Sequence, residues 1–239
     1  MPGPIDLHTH SSVSDGTETP AQLIRAAVAA GLGTVALTDH DSTAGWQEAR
    51  TAASGTGLTL IPGMEFSTRH GWKSVHLLAY LFDPDDAGII AETAHIREAR
   101  LRRAESIVAR LSVDYDIEWA DVVAQTTEGA TVGRPHIADA LVARGHVPTR
   151  SAAFESILHP RSGYYEPHYA PEPLTAVKLV RAAGGVPVLA HPGTRGRDAV
   201  VPDSEMKMLV DAGLFGLEIH HRENTESGRE RLYELASKY

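Results

Sequence analysis

Short apolar runs alternate with helical periods from the first residues, a rhythm that favours parallel strands joined by crossover helices. Ile5 to Thr9 reads as a strand. Thr19, Pro20 and Gln22 then supply an N-cap, a first-turn proline and a capping-box partner for a helix that Gly31 stops. A second unit follows, with a strand from Gly33 to Asp39 and a helix to about Ser54 that Ser42 or Thr43 can cap. Leu58 to Ile61 and Val75 to Tyr80 are two more strands, joined by a glycine-rich polar loop and able to lie side by side.

From about Ala91 to Glu172 the strand signal gives way to helical patterns, starting with ETAHIREARLRRAESIVARL. Alternation then resumes with a helix from Pro173 to Ala183, the strand VPVLAH, a helix near Asp203 to Asp211, the strand GLEIHH and a last helix toward Tyr239. The expected organisation is an α/β domain from residues 1–90 and 173–239, with 91–172 as a helical insertion.

Length adds that 239 residues suffice for one self-sufficient core. With no cysteine, thiolate metal sites and a cysteine nucleophile are excluded, so any metal must be held by His, Asp or Glu. A net charge of -9 disfavours an extended nucleic-acid surface and leaves open a small, locally bound phosphate compound. The start MPGPIDLHTH lacks a basic leader, and no apolar run approaches a membrane span, so the expected location is cytoplasmic.

Ligands of parallel α/β proteins bind at the carboxyl ends of the strands, and there this chain repeatedly places ionisable residues. His8 and His10 end the first strand, two apart and on one face; His40 follows the second strand, Glu65 the third, His76 lies in the fourth, and His191 ends VPVLAH. Asp15 sits in the loop SSVSDG. Each has a bland alternative: strand-edge hydrogen bonds for His8 and His10, a turn for Asp15, helix capping around His40, a salt bridge for Glu65 and a core histidine for His76. Together, so many desolvated groups at strand ends need partners, and metal ions satisfy them collectively. Such donors suit zinc, manganese or iron(II).

The stretches HTHSSVSDG, LTDHD, Glu65, His76, GRPHIA and AHPG together resemble the PHP family, named for polymerase and histidinol phosphatase domains. Within it, the chain looks most like small bacterial phosphoesterases that remove phosphate from 3′,5′-bisphosphorylated nucleotides, some of which also trim short RNA from the 5′ end. The resemblance implies a distorted seven-stranded β/α barrel and a site for two or three divalent ions, manganese first, iron(II) or zinc otherwise. His8, His10, Asp15, His40, Glu65, His76 and His191 match the family's metal ligands, with Glu65 as a bridge.

Glu65, His191 and Arg134 are then the candidate catalytic groups, and Arg134 and His136 resemble residues facing the substrate phosphate. A helix start with Pro135 in its first turn is the alternative for GRPHIA. The family adds an Asp-x-His pair on a final strand; no such pair follows ELASKY, so the barrel is expected to lack its last strand. Glu218 and His220 can reach the same mouth but stay outside the expected ligand set.

The implied activity is hydrolysis of phosphate monoesters by a metal-activated hydroxide, on a nucleotide or short oligonucleotide, by a monomer or small homo-oligomer. Two other classes use similar ligands. One is an amidohydrolase, disfavoured because Lys73, Lys178, Lys207 and Lys238 do not end apolar strands. The other is a catalytically weak, metal-stabilised PHP module.

Overall fold

The computed structural model describes residues 3–196 and 201–239. Among them a six-stranded sheet runs in chain order from β1 (Ile5–Thr9) through β2 (Thr34–Leu37), β3 (Thr59–His70), β4 (Lys73–Tyr80) and β5 (Val186–Ala190) to β6 (Gly216–Leu217). Helices α1 (Pro20–Ala29) and α2 (Trp46–Ala53) connect the first three strands, which pair in parallel. Then α3 (Ala87–Leu111), α4 (Trp119–Val123), α5 (Arg134–Ala143), α6 (Arg150–Glu155) and α7 (Pro173–Ala182) lie between β4 and β5. Helix α8 (Asp203–Asp211) leads to β6 and α9 (Glu226–Lys238) follows it. This is the expected distorted barrel with six strands.

Three strand expectations change. The sheet is mixed, because β4 is antiparallel to both β3 and β5. The polar loop expected after Ile61 is instead strand: β3 continues to His70 and turns through Gly71 (φ 56°) and Trp72 into β4. Met64 and Phe66 face the helix-covered core while Glu65, Ser67 and Arg69 alternate with them. Polar residues on the second face disguise the strand. GLEIHH shortens to Gly216–Leu217, because the chain turns after Ile219.

At α1 the capping box at Thr19 and Gln22 is present as expected. The second helix starts later than expected, at Trp46, with Gly45 at its cap and no side-chain cap bond; the Ser42 hydroxyl accepts from Ala44 N at 3.3 Å, ahead of the helix. Packing explains this: a Cβ on Gly45 would sit 3.0 Å from both Leu37 and Pro20, and Trp46 Nε1 donates to the Gly63 carbonyl at 2.8 Å. The helix begins where its tryptophan can anchor to β3.

The main core lies between the outer sheet face and helices α1, α2, α7, α8 and α9, and includes Ile24, Leu37, Phe66, Leu77, Val177 and Leu232. The first half of α3 joins it through Ile89 and Ile96, whereas the second half packs Ile107 and Leu111 into a separate cluster with α5. On the inner face only Ala36, Leu78, Tyr80 and Ala190 form an apolar floor. Polar groups fill the mouth above it.

The turn after β5 is pressed onto α9. A Cβ on Gly228 would lie 2.1 Å from the Gly193 carbonyl, and the Thr225 amide donates to that same carbonyl at 3.2 Å. Gly228→Ala is therefore expected to cost about 1–3 kcal/mol by overpacking, read from the midpoint of urea unfolding. An unchanged midpoint would mean that α9 does not dock as described.

Candidate metal centre

Four strands besides β3 deliver the histidines. His8 comes from β1 with His10 just beyond it, His40 follows β2, His76 lies in β4 and His191 follows β5. His40 pairs with Glu65 as an isolated parallel bridge, so Glu65 stands in mid-β3 where β2 runs out. The rings of His8, His10, His40, His76, His191 and His221 form a closed circuit with neighbouring centroids 4.8–5.5 Å apart.

Glu65, 2% exposed, divides its two oxygens among these imidazoles. Oε2 lies 3.2 Å from His8 Nε2, 3.1 Å from His10 Nε2 and 3.3 Å from His40 Nδ1. Oε1 lies 2.7 Å from His76 Nδ1 and 3.1 Å from His191 Nε2. Asp15 is more distant, its oxygens 3.6 Å from His10 Nδ1 and 3.7 Å from His40 Nε2. All seven residues expected as ligands thus line one pocket of about 650 Å³.

Two aspartates beside His40 hold the frame. Asp39 accepts from Ser11 N, Ser11 Oγ and Ser14 Oγ, each at 2.7 Å, and so fixes the loop between His10 and Asp15. Asp41, at φ 50°, accepts from Ser67 N and Oγ at 2.7 Å and from Arg100 Nη1 at 3.2 Å. Neither caps a helix.

Two participants, Glu218 and His221, lie outside the expected ligand set. Glu218 accepts at 2.9 Å from His8 Nδ1 and at 2.8 Å from the His191 amide, orienting one imidazole and the strained backbone (φ 32°) of the other. His221, not His220, completes a triad with His8 and Glu218; His220 bonds the Tyr233 hydroxyl at 2.6 Å. The alternation in GLEIHH placed Glu218 and His220 at this mouth, and both line the pocket; the turn after Ile219 brings in His221 as well.

The GRPHIA residues begin α5. His136 is buried, with its Nδ1 accepting from Gly133 N at 3.1 Å, and a bond to the Ser14 backbone ties α5 to the metal loop. Arg134 lies between the rings of Phe154 and Tyr165, 5.3 Å from each centroid, and is not among the pocket-lining side chains.

The donors fit divalent ions. Ligands about 2.0–2.2 Å from a metal and roughly at right angles stand about 3 Å apart, matching the separations around Glu65 Oε2. Among the described residues three mutually close triads occur: His8, Glu65 and His191; His8, Glu218 and His221; His10, His40 and Glu65. His40 Nδ1 is buried and lacks a hydrogen-bond partner although it faces the carboxylate. Burial pushes the His40 ring down to about 3, leaving it neutral and its nitrogens able to coordinate.

Protons otherwise fill part of the cluster. Burial lowers the His8 pKa, but bonds to Glu218 and Glu65 outweigh it and push the ring up to about 10. The same contest, won by Glu65, raises His10 and His191. Burial would raise Glu65, yet the surrounding imidazoles hold it well below the ordinary carboxylate range.

Residues 6–132 match the PHP domain family. The chain belongs to the PHP family. A 3′,5′-nucleoside bisphosphate phosphatase of Chromobacterium violaceum is 36% identical over 222 residues, covering 90% of this chain and 76% of that protein. The 5′-3′ exoribonuclease Rnm of Escherichia coli is 36% identical over 194 residues, covering 79% of this chain and 65% of that protein. A crystal structure described as a metal-dependent phosphoesterase, from Bifidobacterium adolescentis, has a TM-score of 0.94 at 44% identity, covering 98% of this chain and 83% of that one. This PHP protein is a metal-dependent phosphoric ester hydrolase.

Because the His8 ring is pushed up to about 10 by Glu218 and Glu65 when no metal is bound, loading must expel its proton. Apparent metal affinity is therefore expected to rise from pH 6 to 8 with a log–log slope of about one or more, with matching acid release in weak buffer. A pH-independent affinity would contradict this. Chelation is likewise expected to lower Tm, and refilling to restore it.

Proposed function

We propose that this PHP protein removes phosphate from nucleotides, 3′,5′-bisphosphates foremost, with manganese as the working metal and iron(II) or zinc as alternatives. The observation that carries the reading is Glu65, whose two oxygens face different sets of imidazoles and can join neighbouring ions. When bound, divalent ions act as Lewis acids toward a phosphoryl group and generate a nucleophile from water at neutral pH.

The chain's own residues do the rest. His8, His10, Asp15, His40, Glu65, His76 and His191 hold the ions, and Glu218 fixes the His8 ring by its Nδ1. Glu65 and His191 bring catalytic groups to one face, and the Arg134 guanidinium, held between Phe154 and Tyr165, adds positive charge that favours an anionic substrate. His136 positions the loop carrying Asp15. The segment 91–172 covers the pocket; in support, Arg150 lines it, donating at 3.0 Å to the Asp15 carbonyl, while Thr131 N donates to the Val13 carbonyl.

The pocket's volume accommodates a nucleotide. A second reading, a short 5′-phosphorylated RNA, is favoured by a neighbouring cleft of about 530 Å³ that shares Gly16, Thr17 and Arg150 with the pocket. None of the four lysines lines the metal pocket, which disfavours a lysine-bridged amidohydrolase. No helix of the described residues is long and apolar enough to cross a membrane.

Glu65→Ala is expected to lower kcat/KM for a nucleoside 3′,5′-bisphosphate by about 10³-fold and to reduce bound metal per chain. Full activity in that variant would reject the proposal. Reconstitution with manganese, iron(II) or zinc, followed by phosphate release, ranks the metals.

A further inference from the structure

The site-facing side of β3 continues past Ser67 to Arg69, and the groups gathered around it are cationic. Arg100 and Arg103 come from α3 and are 6% and 8% exposed; Arg134 comes from the start of α5 and His168 from the segment before α7. Arg103 Nη1 lies 2.9 Å from His168 Nδ1. Arg100 Nη2 abuts Gly133, beside Arg134, at 3.1 Å from where a Cβ would stand. Arg69 and His168 share a cleft with Trp72.

Counter-charge is scarce. Among the described residues Asp41 is the carboxylate ion-paired with this group, through Arg100. Nearby acids are committed elsewhere: Glu98 to Arg102, and Glu166 to Arg110 and Ser106. Arg69 Nε, Arg100 Nε, Arg103 Nε and His168 Nε2 are buried without a hydrogen-bond partner. Folded proteins seldom leave such donors unsatisfied, and an ion pair among buried charges needs its second partner. Burial and the neighbouring arginines push Arg103 down to about 9. An anion would satisfy the whole group.

We propose that Arg69, Arg100, Arg103 and Arg134 form a second anion subsite, which takes a phosphate dianion carried by the substrate whose other phosphate meets the metals. Ser67, which bonds Arg100 at 2.8 Å, is two residues from Glu65, and Arg69 is four. At strand rise these steps are about 7 and 13 Å, so the subsite measures the separation between two anionic groups. Arg69 and Arg103 are the specificity-determining residues. The catalytic part of this inference rests on the phosphoesterase reading; anion binding does not.

The purified full chain is compared with Arg103→Met by thermal melting, with sulfate replacing chloride at constant ionic strength. Wild type is expected to gain Tm in sulfate, whereas Arg103→Met melts higher in chloride and loses most of the sulfate response. Equal sulfate responses would overturn the subsite. Should Arg103→Met not fold, the partly exposed Arg69→Gln is expected to weaken sulfate binding about tenfold by calorimetry, and an unchanged Kd overturns the proposal.

A second arm separates substrate phosphate from free phosphate. In Arg69→Gln the ratio of kcat/KM for a nucleoside 3′,5′-bisphosphate to that for p-nitrophenyl phosphate is expected to fall at least about tenfold. An unchanged ratio together with lost sulfate binding would overturn the substrate assignment in favour of free phosphate. If wild type hydrolyses neither compound, the phosphoesterase reading fails and the sulfate comparison still decides the subsite.

Discussion

A single buried carboxylate organises this molecule. Glu65 is surrounded by imidazoles from the ends of β1, β2 and β5 and from within β4, and their separation from it of 2.7–3.3 Å requires those positions to meet at one level. A buried anion without such partners would be strongly destabilising, and the imidazoles without the anion would repel one another once protonated. Metal ions and protons are alternative occupants of the same space, which links folding, acidity and loading in one cluster.

The frame around Glu65 is held rigid at some cost. Asp41 (φ 50°) and His191 (φ 32°) occupy backbone regions unfavourable to residues with a side chain, at about 1–3 kcal/mol each. Opposing bonds offset this: Ser67 to Asp41, and the His191 amide to Glu218. Both strained residues sit next to or within the imidazole circuit, so the strain is spent where a ring must point inward. The proposed anion subsite would follow the same pattern, since Arg69 and Arg103 keep buried Nε atoms without a partner while Arg100 pairs with Asp41.

Much of the architecture was readable in the residues. Thr19, Pro20 and Gln22 mark the first helix because capping chemistry is local, and Val186 to Ala190 marks a strand because its apolar run is unbroken. The second half of β3 was hidden, since Glu65, Ser67 and Arg69 are polar for reasons of the site and so imitate a loop. The start of α2 was hidden too, because a tryptophan's contact with a distant carbonyl decided it over the nearer Ser42 and Thr43.

What the chain by itself determined was the inventory: which strands end in imidazoles or carboxylates, the absence of cysteine donors, and the ordered motifs that resemble PHP proteins. Their convergence, the division of Glu65's two oxygens, the choice of His221 over His220, and the meeting of Arg69, Arg100 and Arg103 belong to the tertiary structure. Spacing along a strand states which face a side chain takes, but only packing states which faces meet. Partners such as His8 and Glu218 are 210 positions apart, and no local rule relates them.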